Sequence, residues 1–261
     1  MTDPQDAADT TDPTHPTDPA GERLAKRLAR QLGCSRSQAE QYIENGFVSV
    51  DGVVIDTPQF RVAGQRVELA ANARLAPVVA VTLLLHKPAG FNALEGERAA
   101  RQLLVPANRF TADASGERTL ARHFVNQVGV TPLEADAAGL LVFSQDPRVQ
   151  RKLLDEAGMI EQEVMVDVAG EVSAEALVRL NRAPVIGGRV LASAKVSLSN
   201  QSGASSRLRF AIKGHHPGLV LRICAQAALT VTGMTRTRIG RLPLAGLPLG
   251  KWRYLLPTER F

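Results

Sequence analysis

This chain has only two cysteines in 261 residues, and no lysine or arginine in its first 22. Nor does it contain an apolar run near the roughly 18 residues that a membrane-spanning helix needs. Cys34 and Cys224 lie far apart, so they form neither a disulfide framework nor a zinc-binding spacing, and they suit a reducing compartment. The opening stretch, MTDPQDAADTTDPTHPTDPAGE, has no basic start and no apolar centre, and does not read as a secretory signal. These absences together predict a cytoplasmic protein with no membrane segment.

What is present is positive charge. Asp3, Asp6, Asp9, Asp12, Asp18 and Glu22 make the first 22 residues strongly acidic. Taking those six charges out of the net +5 leaves residues 23–261 at +11, with a whole-chain pI near 9.6. A folded body this basic points to a polyanionic partner, most often nucleic acid. The acidic opening is too rich in Asp, Thr and Pro to build a core, so residues 1–22 are expected to be a disordered tail. The remaining length allows a small domain and a large one.

In ERLAKRLARQLG, Leu24, Leu28 and Leu32 recur at four-residue steps, a helical stripe that Gly33 would end as a C-cap. A second helix begins at SRSQAEQYIENG, where Ser35 and Gln38 have capping-box spacing; Ala39, Tyr42 and Ile43 face inward and Gly46 closes it. FVSVDGVVI then carries Asp51-Gly52, a strong hairpin turn signal, and PQFRVAGQRVEL supplies further strand. Two short basic helices before a small hairpin sheet resemble the αL RNA-binding domain first described in ribosomal protein S-four, over residues 23–70. The residues that carry the likeness are Arg23-Leu24, Lys26, Ser35-Arg36, Ala39-Glu40, Ile43, Gly46, Val48, Val50 and Gly52. Arg23, Lys26 and Arg36 are then expected to contact phosphates, which sets affinity without reading sequence.

Residues 71–80 read as a linker, and 81–261 as the large domain. VVAVTLLLHKPAGFNAL is a buried strand running into a loop that carries Lys87. In GLLVFSQDPRVQRKLLDEA a buried strand gives way to a helix with Asp146 as N-cap and Pro147 at its first position. IEQEVMVDVAGEV alternates Val164, Val166 and Val168, a half-buried strand. SAEALVRL is a short helix, SRLRFAIKG a strand and GLVLRICAQAA a helix. The fold class is α+β, with a largely antiparallel sheet. His215-His216 in KGHHPG has no further ligand at metal spacing and reads as a turn.

HKPAGF, then PLEADAAGLLVFSQD, then RIGRLPLAGLPLGKWRYL, all after the αL module, make the chain similar to bacterial rRNA pseudouridine synthases of the small-subunit-enzyme type. The likeness runs from about residue 22 to the end. It implies catalysis by a carboxylate in a loop of the form G-R-L-D-x-D-[ST]-x-G-L-L. Here that loop is Thr131 to Leu141, with agreement at Leu133, Asp136, Gly139, Leu140 and Leu141. The family's essential aspartate falls at Glu134, its arginine neighbour at Pro132 and its base-stacking tyrosine at Val164, so the catalytic motif is altered. Glu134 keeps the charge with one extra methylene, a displacement of roughly an ångström that can cost on the order of 100-fold. The resemblance assigns catalysis to Glu134 without metal or organic cofactor, RNA contact or loop shaping to Lys87, RNA contact to Arg222, and loop structure to Asp136. Two readings stay open. In one, a monomer isomerises a uridine in structured rRNA. In the other, a catalytically silent relative acts in ribosome assembly or RNA remodelling.

Overall fold

The computed structural model describes residues 21–75, 79–186, 188–190 and 192–261. The chain divides into two compact units between Val78 and Val79. The division falls inside the expected linker, of which residues 76–78 lie outside the described residues.

The small unit holds strand β1 (Glu22–Arg23), helix α1 (Leu24–Leu32), helix α2 (Arg36–Glu44) and strands β2 (Val48–Val50), β3 (Val53–Val54), β4 (Arg61–Val62) and β5 (Val67–Leu69). The local signals act as expected. Gly33 caps α1 at φ 65°, and Ser35 and Gln38 close a reciprocal capping box on α2. β2 pairs with β3 across the Asp51-Gly52 turn, and with β5. The core is Leu24, Ala25, Leu28, Ala39, Ile43, Val48, Val50, Val62 and Val67.

Two expectations need correction here. Leu32 is 38% exposed, and Ala25 takes the inward place instead. At 3.6 residues per turn each four-residue step over-rotates by about 40°, so the third leucine has drifted off the buried face. Glu22 is part of the domain, because β1 pairs with β4 and the Glu22 carboxylate ion-pairs with Arg30 and with Arg27. The rest of the expected tail, residues 1–20, lies outside the described residues.

The large unit is built on one sheet. Its strands are β6 (Thr82–Lys87), β7 (Val128–Gly129), β8 (Ala138–Ser144), β9 (Glu161–Ala169), β12 (Lys195–Ser202), β13 (Ser205–Lys213), β14 (Val231–Ile239), β15 (Leu242–Pro243) and β16 (Trp252–Tyr254). A separate hairpin, β10 (Val185–Ile186) with β11 (Arg189–Val190), stands apart from it. The spatial order is β12-β13-β9-β14-β8-β6-β16, with β15 on β14 and β7 on β8. Among the described residues every pairing in the sheet is antiparallel except β14 with β8. The expected largely antiparallel α+β domain is therefore what forms.

Helices α3 (Pro147–Leu154), α4 (Ala174–Leu180) and α5 (Leu219–Gln226) complete it. Asp146 caps α3 by accepting from the Arg148 N–H, with Pro147 at the first position. α4 and α5 share a core with β9, β12, β13 and β14, in which Val164, Val166, Val168, Leu208, Phe210, Val220 and Ile223 are buried. β6 and β8 read as unbroken apolar runs because both faces are covered. Leu84, Leu140 and Val142 enter one core, while Leu83, Leu85, Leu141 and Phe143 enter another with Trp252 and Tyr254.

The parallel pairing of β14 with β8 brings together segments a hundred residues apart, with Arg236 opposite Gly139. Gly139 has φ 125°, and a Cβ there would lie 2.4 Å from both the backbone nitrogen and the backbone oxygen of Arg236. Glycine is what lets the two strands meet.

Candidate active site

The loop from Val130 to Ala137 leads into β8 and is held from several sides. Val142 N–H donates to Thr131 Oγ1 (2.9 Å), and Gly90 N–H donates to Ala135 O (2.8 Å). Arg236, 1% exposed, does most of the fixing from β14. Its Nη1 donates to Pro132 O (2.8 Å) and to Gln162 Oε1 (3.0 Å); its Nη2 donates to Thr131 O (3.0 Å) and Leu140 O (2.7 Å); its Nε also donates to Leu140 O (2.9 Å). A guanidinium offers five donors, and here all of its nitrogens are engaged. Burial pushes its pKa down to about 9, and the nearby Glu134 charge works the other way. It still carries its charge at neutral pH.

Lys87 is completely buried at the end of β6. Its ammonium donates to Pro88 O (3.1 Å), Phe91 O (2.7 Å) and Ala135 O (2.8 Å). All three protons are used inside the fold, so Lys87 ties the Pro-Ala-Gly loop to the Glu134 loop. The expectation that it touches RNA is corrected on that ground. Burial lowers its pKa to about 8; Arg236 adds to the shift, and Asp136 and Glu134 oppose it.

These anchors leave Glu134 at the mouth of a small cleft. Its Oε1 accepts a 2.8 Å hydrogen bond from the Gly218 N–H, the residue that opens α5. Pro132, Leu133, Gln162, Val164, Ile212, His215, His216, Val220 and Arg236 line the same cleft. Its walls are largely aliphatic, and its volume is about 50 Å³. A carboxylate thus faces an apolar pocket, with a buried cation behind it and a helix N-terminus beside it. Both favour negative charge there.

The sequence-derived candidates separate clearly. Glu134, Pro132 and Val164 do share one site, and Asp136 is exposed at the loop tip. Arg222 is exposed on the first turn of α5, with its Nε 3.9 Å from where a Gly218 side chain would begin. In the small unit Arg23, Lys26 and Arg36 are exposed, and Arg36 Nε is bonded to Glu40 (2.9 Å). Of the two tyrosines, Tyr254 is buried against Trp252, and Tyr42 packs on the small core. Neither lines the cleft.

Four cleft residues were not anticipated: Arg236, Gln162, His215 and His216. Gln162 links them. Its Nε2 donates to Gly214 O (2.8 Å) and to His215 Nδ1 (3.0 Å), while His215 Nε2 donates to Leu153 O (2.9 Å). Burial holds the His215 pKa below the usual imidazole range.

Residues 22–67 match the S4 domain family. Over 247 residues, 91% of this chain and 94% of the relative, the chain is 27% identical to an uncharacterized RNA pseudouridine synthase of Aquifex aeolicus. It is 27% identical to ribosomal large subunit pseudouridine synthase B of Salmonella typhi, over 90% of this chain and 79% of that one. The dual-specificity RNA pseudouridine synthase RluF of the same organism is also 27% identical, over 91% and 76%. A crystal structure of a pseudouridylate synthase superposes with a TM-score of 0.54 at 18% identity, covering 91% of this chain and 97% of that one. The chain therefore combines an S4 domain with a pseudouridine synthase fold. The two Salmonella typhi relatives are named for the large subunit and for dual specificity, whereas motif order alone resembled the small-subunit enzymes.

Proposed function

We propose that this protein is an RNA-binding pseudouridine synthase that isomerises a uridine in structured rRNA, with Glu134 as its working carboxylate. The observation that carries the proposal is the setting of Glu134: an anion held by the Gly218 N–H, backed by buried Arg236 and open to an apolar cleft.

The reaction breaks the bond from C1′ to N1 of the base, turns the base, and joins its C5 to C1′. The proton on C5 leaves and N1 gains one, so the step is an isomerisation needing no oxidant, reductant or organic cofactor. A uridine inside a duplex is out of reach, so the target must be extruded from the stack. Glu134 then acts at the sugar's anomeric region, as nucleophile or as base. Arg236 and Lys87 do not reach the substrate. They fix the carbonyls of the catalytic loop, so the carboxylate is placed before RNA arrives, and pre-placement of this kind is where much of catalysis resides.

Exposed Arg23 and Lys26, with Arg36 sharing its charge with Glu40, give the small domain its phosphate-binding face, and Arg222 adds a cation at the cleft rim. The catalytic motif is altered at Glu134, Pro132 and Val164, and the altered site remains active. The protein works as a monomer in a bacterial cytoplasm. The test is deletion of the gene, followed by mapping of pseudouridines across rRNA by chemical modification and primer extension. One lost site, restored by the wild-type chain and not by Glu134→Gln, is the expected result. An unchanged map would favour the silent-relative reading.

A further inference from the structure

Glu134 shares its cleft with two imidazoles in opposite situations. His215 is half-buried, with one ring nitrogen donating to Leu153 O and the other accepting from Gln162. It is a fixed strut. His216 is exposed, and its ring makes no hydrogen bond or ion pair among the described residues.

The turn that carries them is bounded by Gly214 at φ 80° and Gly218 at φ 75°. A side chain on Gly214 would come within 3.2 Å of His216 Nε2, so the imidazole lies back over its own turn. The apolar side chains that line the cleft are Pro132, Leu133, Val164, Ile212, Pro217 and Val220, none of them an aromatic ring. The volume of about 50 Å³ holds a few waters. It is far below the roughly 300–1,000 Å³ of ligand pockets. A base that reaches Glu134 must therefore enter past the exposed edge of the cleft, which His216 and Pro217 form.

We propose that His216 is a substrate-contacting residue, whose imidazole is the ring on which the extruded uracil stacks, against the aliphatic wall, while Glu134 meets the sugar. The inference rests on the reading of the cleft as a uridine site. Extruded bases are held between aromatic and apolar side chains, and His216 is the free aromatic ring at this cleft. Base stacking on one ring corresponds to a loss of about 5- to 150-fold when the ring is removed.

Two measurements on the full-length chain test it. In the first, tritium release from rRNA transcripts carrying 5-tritiated uridine is followed for the wild type, His216→Ala and His216→Phe. The Ala variant should lose about 5- to 150-fold in kcat/KM, and Phe should restore most of it, with RNA affinity changed less than about 2-fold. An active Ala variant, or Ala and Phe variants equally impaired, would overturn the stacking role. In the second, uridine 5′-monophosphate is titrated into protein labelled at histidine and valine. The His216 ring protons, identified by their loss in His216→Ala, should move upfield. Shifts at the Val164 and Val220 methyls without one at His216, or no shifts at all, would overturn it as well. Wild-type chain inert on every transcript would defeat the synthase reading, and the nucleotide titration would still decide on His216.

Discussion

The backbone of Arg236 passes 2.4 Å from where a side chain on Gly139 would begin. That approach fixes β14 against β8, and it aims the Arg236 guanidinium back at the loop before β8.

Gly139→Ala should therefore be severe. The residue would be forced to φ 125° and into the β14 backbone. A strained dihedral of this kind costs about 1–3 kcal/mol, and overpacking adds a comparable amount. We expect a clear drop in urea midpoint together with loss of turnover. A variant as stable as the wild type would show that β14 can retreat, and that the strand pairing is looser than it looks.

Lys87 should reveal itself through pH. Its folded pKa, about 8, is depressed from an ordinary value of 10.5. Below about pH 8 both the folded and unfolded chains hold the proton, and the burial penalty is fully present. Between about 8 and 10.5 the unfolded chain binds more protons than the folded one, so this group's contribution to stability rises with pH. The slope is at most about 1.4 kcal/mol per pH unit. Wild type should thus gain stability relative to Lys87→Met between pH 7 and pH 10, read from paired urea melts. Parallel curves for the two proteins would mean that Lys87 titrates at its ordinary value.

Glu134→Gln keeps the shape and removes the charge. It should abolish tritium release while leaving rRNA affinity equal or slightly higher, because a negative charge near phosphates is gone. Asp136→Asn, at the exposed loop tip, should leave turnover in place. Glu134→Asp restores the family's carboxylate but not its Arg or Tyr, at Pro132 and Val164, so at most a weak gain is expected. Full activity in the Gln variant would put the working carboxylate elsewhere.

The small domain is testable by salt. Arg23 and Lys26 are exposed without an ion pair among the described residues, whereas Arg36 is bonded to Glu40. Reversing Arg23 and Lys26 to Glu should weaken rRNA binding and flatten the log-affinity against log-salt slope by about 2. Adding Arg36→Glu should do less than either of the others. Equal effects at all three positions would mean that RNA frees Arg36 from Glu40.

The sequence made most of the scaffold legible. Capping at Ser35, Gly33 and Asp146, the Asp51-Gly52 turn and the alternation at Val164, Val166 and Val168 are local signals, and each appears where read. That Glu134, Pro132 and Val164 would meet in one cleft was legible through motif order. What stayed hidden was its surroundings. β14 has the sequence VTGMTRTRI, a strand with two arginines and a glycine that does not alternate apolar with polar residues. No local pattern announces that Arg236 will be buried. His215 and His216 read as a turn because nothing near them in sequence shows that α5 delivers its N-terminus to Glu134. Lys87 read as an RNA contact because a buried lysine is recognisable only when the carbonyls that receive it are known.

The parallel pairing of β8 with β14 also orders events in time. Glu134 leaves the ribosome about a hundred residues before Arg236, so a nascent chain carries the carboxylate long before the cation that pins its loop. Contacts of such high sequence separation form late and slowly. A chain broken before β14 would keep the acid and lack the frame around it. The frame around the Glu134 loop is thus withheld until β14 has emerged.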